Sequence, residues 1–195
     1  YGFHNMIDSV LTKENPSHVL VAFDAGNTTF RHSFFDDYKA GRSKTPGEFS
    51  EQMPYLRELL DGFGIKHYEL ENFEADDIIG TLATQVDTNI YDVVVISGDR
   101  DLTQLAKENV RVDITVKGVS ELKEYTPESI HEEMGINPLQ ITDMKGLAGD
   151  ASDNIPGVTK IGEKTALKLL KEYGSVEGIY ENIDCLRFLQ KLPLK

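Results

Sequence analysis

Short apolar runs alternate with amphipathic stretches along the chain as far as Tyr125. His18 to Phe23 is a nearly continuous apolar run ending in Asp24-Ala-Gly-Asn, the pattern of a buried strand followed by a turn. Tyr91 to Ser97 repeats it and ends in Gly98-Asp99-Arg100-Asp101. Ile65 to Leu70 and Arg111 to Val116 are two further predicted strands. Between the strands at His18–Phe23 and Tyr91–Ser97, Pro46 to Phe63 carries Phe49, Met53, Leu56, Leu59, Leu60 and Phe63 at helical spacing, with Gly62 and Gly64 to close the helix. Glu74 to Val86 places Ile78, Ile79, Leu82, Ala83 and Val86 on one helical face. Strands alternating with helices predict an α/β fold with a largely parallel sheet flanked by helices.

Beyond Tyr125 only helical periods remain, over Pro127–Met134, Pro138–Leu147, Glu163–Tyr173 and Val176–Ile183, joined by Gly- and Pro-containing turns. The expected division is therefore an α/β core over residues 1–125 and a helical subdomain over 126–195. Thr28 to Thr45 has no strand period and mixes Phe30, Phe34, Phe35 and Tyr38 with basic residues, which predicts an exposed, mobile arm.

Charge sharpens this picture. Against 20 Lys and Arg stand 33 Asp and Glu in 195 residues, a net charge of −13. Acids concentrate between Glu71 and Asp101, where Arg100 is the one base, whereas 31–44 and 160–171 are locally basic. Phosphate contacts come from Lys and Arg, so this overall balance argues against a simple duplex-binding protein. The longest apolar runs fall far short of the roughly 18 residues of a membrane span, and no membrane partner is expected. One cysteine, Cys185, excludes an internal disulfide, and the expected location is the cytoplasm.

Asp24, Asp99 and Asp101 lie just past apolar strands, the edge at which open α/β sheets bind ligands. Glu74, Asp76 and Asp77 open a helix, and Asp150 and Asp153 sit in a turn. Taken singly, the helix-start acids also suit an N-cap and the turn acids a tight turn. Taken together, a carboxylate cluster raises its own pKa values unless cations neutralise it. Hard divalent ions are the natural neutraliser, and two of them about 3.5–4 Å apart clamp a phosphoryl group for in-line displacement. Arg31, Lys39 and Arg42 read either as a solvated surface or as cations for a scissile phosphate, with Tyr38 available for base stacking. Gly157 to Thr165 departs from the phosphate-loop pattern because Glu163 separates Gly162 from Lys164. It reads as a helix hairpin whose glycine-rich turn exposes backbone N–H groups, either to a phosphate or simply to make the turn. No zinc spacing, nucleophile motif or dinucleotide fingerprint is present.

Seven motifs occur in one order: Val21-Ala-Phe-Asp24, Phe30-Arg-His, Tyr38-Lys-Ala-Gly-Arg42, Glu74-Ala-Asp-Asp77, Ser97-Gly-Asp-Arg-Asp101-Leu, Leu147 to Gly157, and Ile161-Gly-Glu-Lys-Thr-Ala166. In this the chain resembles, over roughly Tyr1 to Asp184, the bacterial 5′→3′ exonucleases: the 5′-nuclease domain at the N-terminus of bacterial DNA polymerase I, within the flap endonuclease superfamily. The resemblance implies a structure-specific nuclease that hydrolyses DNA at 5′ ends, nicks and 5′ flaps by a two-metal mechanism, in primer removal and repair. It implies Asp24, Glu74, Asp76, Asp77, Asp99, Asp101, Asp150 and Asp153 as acidic metal positions for two or more Mg²⁺ or Mn²⁺ ions. Arg31, Lys39 and Arg42 match catalytic cations of a helical arch, with Tyr38 near its base. Gly157, Lys160, Gly162, Lys164 and Thr165 match a helix–hairpin–helix that grips duplex DNA and holds a K⁺ ion. A polymerase domain following in the same polypeptide and a monomeric state are further expectations.

Three features depart from that family. Its first strand, ending in another metal-binding Asp, would precede Tyr1, and without it apolar surface and unpaired backbone are expected. Lys160 stands where the family more often has glycine, and 185–195 reads poorly against it. A non-catalytic nucleic-acid-binding module is therefore the alternative reading. A single-strand ribonuclease of the related toxin-like fold is a third, against which the duplex-gripping hairpin argues.

Overall fold

The structure, a computed structural model, describes residues 2–43, 46–117 and 121–183. In chain order its elements are α1 (Gly2–Glu14), β1 (Leu20–Thr29), α2 (Arg31–Phe34), α3 (Gly47–Ser50), α4 (Met53–Phe63), β2 (Lys66–Asn72), α5 (Ala75–Gln85), β3 (Val93–Ser97), a 3₁₀ helix (Arg100–Leu105), β4 (Val110–Lys117), β5 (Glu121–Tyr125), α6 (Pro127–Met134), α7 (Gln140–Ala148), α8 (Glu163–Tyr173) and α9 (Val176–Glu181). The strands pair as a parallel β1–β2 unit and a β3–β4–β5 unit, in which β3 and β4 are parallel and β5 is antiparallel. The α/β architecture with parallel pairing and a helical C-terminal half is the one anticipated.

Particular elements differ from expectation. The run at His18–Phe23 continues as strand to Thr29, although its regular register with β2 stops at Asp24↔Leu70 and resumes only at Thr29↔Asn72. Helix α1 and strand β5 were not foreseen. The long predicted helix 46–63 is divided into α3 and α4, with Glu51 and Gln52 as the break. The arm is docked rather than free: Lys39 N–H bonds the Asp153 carbonyl at 3.0 Å, and Asn154 Nδ2 bonds the Asp37 carbonyl at 2.8 Å. Predictions for residues 44–45, 118–120 and 184–195 lie outside the described residues.

Two buried clusters hold these elements. The larger joins Val95 of β3 and Val110, Val112 and Ile114 of β4 to Ile130, Ile141, Leu147, Leu170 and Ile179 of the C-terminal helices. The smaller joins Ile7 of α1, Phe23 of β1, Leu60 of α4 and Ile65. Helix α1 links the two strand units: Phe3, Ile7 and Leu11 pack in the smaller cluster, while Glu14 and Lys13 at its end reach β4. There Arg111 Nε bonds Asp113 Oδ1 at 3.0 Å, and Asp113 is wholly buried. Glu14 Oε1 is sealed from solvent with Arg111 Nη2 at 2.7 Å, close enough for an ion pair though not aligned for a hydrogen bond.

Candidate functional site

Helix α5 brings the acids to one place, because its face packs on β1, β2, β3 and the 3₁₀ helix together. Its start is fixed by a capping box in which the Glu74 N–H donates to Asp77 Oδ2 at 2.9 Å. Asp24, at the last regularly paired position of β1, accepts from the Ala75 N–H at 2.7 Å, so the end of β1 is tied to the first turn of α5. At the end of β3, Asp99 caps the 3₁₀ helix by accepting from the Asp101 N–H at 2.9 Å. Asp150 folds the turn after α7, accepting from the Ser152 N–H at 2.8 Å and its hydroxyl at 2.6 Å. That turn depends on Gly149 and Gly157, whose backbones pass in contact: a Cβ on Gly157 would overlap the Ala148 carbonyl and the Gly149 nitrogen. Gly149 also has φ +80°.

The eight acids meet as a chain of neighbours, not as one shell. Among the described residues no three of them close on a single point as ligands of one ion. Asp77 spends both oxygens on Arg31, at 2.8 and 2.7 Å, and the guanidinium holds its carboxyl below the usual range. Lys39 Nζ bonds Glu74 Oε1 at 2.7 Å, and Arg42 Nη2 bonds Asp153 Oδ1 at 2.6 Å. The three expected cations are thus on the site, but the arch is not helical around Lys39: residues 36–41 are turns, and Lys39 is in the left-handed region at φ +57°. Tyr38 is corrected more sharply. It is buried, 6% exposed, and its hydroxyl donates to Glu74 Oε2 and Asp153 Oδ2, each at 3.1 Å, so its ring is not a stacking platform. Burial, and then the two carboxylates, push that hydroxyl far above its ordinary pKa.

Sequence reasoning missed Lys145. Its Nζ lies 2.8 Å from Asp101 Oδ1 and 2.8 Å from Asp150 Oδ2, joining the β3 end to the turn after α7. The signal was its place one turn before the end of α7, five residues ahead of Asp150. Burial works against ionising Asp150, but Lys145 and Ser152 outweigh it and hold the carboxyl low. For Asp101 burial wins, and the group is raised despite Lys145.

Whether this donor set suits a divalent ion is answered by Asp76. Asp24, Asp76 and Asp99 have no ion pair among the described residues, and burial, then the charges of Asp99, Asp24 and Glu74, push Asp76 up to about 6. Lys39 opposes that rise without cancelling it, and a carboxylate raised by its neighbours' charge is what a cation of hard, oxygen-binding character relieves. The residues fit such an ion.

The glycine-rich turn lies apart in kind. Gly162 is the N-cap of α8, no side chain caps it, and Gly162 and Lys164 are exposed. Lys160, also exposed, takes the left-handed conformation at φ +69°, which a glycine would adopt without strain. Thr165 is half-buried in the first turn of α8.

The sequence matches the family described as 5′-3′ exonuclease, N-terminal resolvase-like domain, over residues 1–135, and 5′-3′ exonuclease, C-terminal SAM fold, over residues 136–193. The chain belongs to the 5′-3′ exonuclease family. Among its relatives, DNA polymerase I of Streptococcus pneumoniae strain R6 is 57% identical over 187 residues, 96% of this chain and 21% of that protein. DNA polymerase I of Bacillus caldotenax is 59% identical over 184 residues, 94% of this chain and 21% of that protein. The chain therefore spans about a fifth of the length of these relatives. Zinc-bound T5 5′-exonuclease superposes with a TM-score of 0.77 at 25% identity, covering 93% of this chain and 69% of that one. The catalytic core of Rad2 in complex with DNA shares the fold at a TM-score of 0.62 and 18% identity, covering 95% and 57%. Among the described residues no helix is long and apolar enough to cross a membrane.

Proposed function

We propose that the chain is a divalent-metal-dependent 5′-nuclease that hydrolyses DNA phosphodiesters at 5′ ends, nicks and 5′ flaps, leaving 5′-phosphates, in primer removal and repair. The observation that carries this reading is the unneutralised trio Asp24, Asp76 and Asp99 beside carboxylates already held by cations. Asp24, Glu74, Asp76, Asp99, Asp101, Asp150 and Asp153 would hold the ions, and an all-oxygen set suits Mg²⁺ or Mn²⁺. When bound, such ions supply Lewis-acid polarisation of the phosphodiester and activation of water. Asp77 has a different part: bonded twice to Arg31, it fixes that guanidinium against α5. Lys39 and Arg42 each hold a carboxylate on a flexible side chain, and a phosphodiester oxygen is the alternative partner for both. Tyr38 O–H, shared by Glu74 and Asp153, orients both carboxylates.

In this reading the turn bearing Gly157, Lys160, Gly162, Lys164 and Thr165 grips the duplex backbone through the uncapped N–H groups of α8 and its lysines, with a K⁺ ion on its backbone oxygens. Residues 1–125 and 126–195 divide the work between cutting and gripping, a polymerase domain follows in the same polypeptide, and the protein acts as a cytoplasmic monomer. Incubation of an end-labelled 5′-flap DNA with Mg²⁺, with and without EDTA, tests the reading. Release of the flap only with the metal is expected, together with its loss in Asp99→Ala and Asp101→Ala variants that still bind the flap. Turnover in EDTA, or unchanged turnover in both variants, would overturn it.

A further inference from the structure

With Tyr38 buried, the aromatic surface beside the carboxylates belongs to other residues. Phe34 is 83% exposed, far more than Phe30 or Phe35, and stands edge-on to Phe30, with ring centroids 6.3 Å apart at 85°. Phe30 in turn lies against Phe73 at 5.5 Å and under the Arg31 guanidinium at 4.7 Å. A single exposed ring is ordinary on a protein surface. This one instead forms a wall of a cavity of about 460 Å³, with Phe35, Ile155 and Pro156 as its other apolar sides. The same cavity is lined by Arg31 and Tyr38, which bond carboxylates of the candidate site, and by Asp153, which is one of those carboxylates. The cavity is thus continuous with the place where a phosphodiester would be cut.

We propose that this cavity is a nucleobase subsite: it seats the unpaired base next to the scissile phosphodiester, with the Phe34 ring stacked on its face. The proposal rests on the nuclease reading above and names the part of the substrate that this end of the site recognises. The occupant follows from the walls. They are mostly apolar and aromatic, which suits the π-face of a base and not a phosphate. Arg31, whose Nη1 and Nη2 are committed to Asp77 and which stacks over Phe30, offers planar surface more than free donors for an anion. Stacking on aromatic rings and guanidinium planes is tolerant of sequence, because every base has such a face. A subsite of this kind reads an unpaired base as such, whatever its identity.

The test uses the full chain and a 5′-flap DNA with 2-aminopurine at the unpaired position beside the junction, and the same DNA with an abasic residue there. Binding is read by anisotropy of a label on the duplex end in EDTA and in Ca²⁺, stacking by quenching of 2-aminopurine emission, and turnover separately with Mg²⁺. Quenching is expected with the unsubstituted chain. Phe34→Ala, at an exposed position, is expected to melt as the parent does, to lose the quenching and to bind the flap about 10-fold more weakly. Phe34→Trp is expected to restore both, and abasic DNA is expected to be bound alike by the parent and by Phe34→Ala. Quenching and affinity unchanged in Phe34→Ala, or equal loss on normal and abasic DNA, would overturn the subsite while leaving the nuclease reading in place. A parent chain that neither binds nor cuts the flap would overturn both.

Discussion

Single side chains decide how much negative charge the site presents. Lys145 is the clearest case, since one ammonium lies equally close to Asp101 and Asp150 and competes there with any divalent ion. Its replacement by methionine keeps the stem and removes the charge, so the two carboxylates lose their internal partner. A half-exposed pair of this kind is worth on the order of 1 kcal/mol, so the Mn²⁺ concentration for half-saturation, measured by titration calorimetry in the absence of DNA, is expected to fall about 5-fold. An unchanged or higher midpoint would contradict the competition. Away from the site, Glu14 offers a different test. Burial opposes its ionisation, but Arg111 and Lys13 outweigh burial and hold its carboxyl below its ordinary value. A carboxyl lowered on folding stabilises the protein above its unfolded value and loses that contribution as pH falls through the folded one. Urea unfolding is therefore expected to show Glu14→Gln less stable than the parent by about 1 kcal/mol at pH 7. The two should converge in acid, below the folded value of Glu14. A difference that persisted there would assign the loss to packing instead.

At the scale of elements, the turn between α7 and α8 is built on the contact of Gly149 with Gly157. Gly157→Ala forces a methyl group into the Ala148 carbonyl, and neither neighbour is a flexible side chain that can yield. Overpacking of this sort costs about 1–3 kcal/mol, and the displaced turn carries Asp150 and Asp153. A lower melting temperature together with weakened Mn²⁺ binding is expected; a lowered melting temperature alone would show that the turn relaxes without moving the acids. Elements with strong periodic signals were legible in the sequence, and Pro127–Met134 and Glu163–Tyr173 fall where the apolar spacing placed them. Strand β5 was not, because Glu-Leu-Lys-Glu-Tyr is an exposed edge strand in which Tyr125 alone is buried. Helix α1 was missed although Phe3, Ile7 and Leu11 recur every four residues, since its partners Phe23, Leu60 and Ile65 are distant in sequence. The arm was misread for a related reason: its contacts to 153 and 154 are long-range, and nothing local in 28–45 announces them.

Across the whole molecule, the sequence placed the acids at strand ends and helix starts, yet their arrangement follows from tertiary packing alone. Which carboxylates carry a cation and which stand open depends on Arg31, Lys39, Arg42 and Lys145 arriving from separate segments. The consequence is a charge problem for the proposed nuclease, because the chain carries a net charge of −13. Phosphate is repelled from the open acids until they are neutralised, whereas the exposed lysines near the start of α8 attract it. Removing negative charge at the site is thus expected to strengthen DNA binding even as it removes ligands for the metal. Replacing Asp99 and Asp101 together by asparagine takes away two charges and frees Lys145 from one of its partners. Each unit charge within about 4 Å of a phosphate in high dielectric is worth roughly 1 kcal/mol, part of which is screened by salt. In EDTA the doubly substituted chain is expected to bind a 5′-flap DNA about 3- to 10-fold more tightly than the parent, with Mg²⁺ narrowing the gap because it neutralises the parent's acids. Equal affinities in EDTA would mean that the flap's phosphates stay clear of Asp99 and Asp101, and would move the cutting site away from the end of β3.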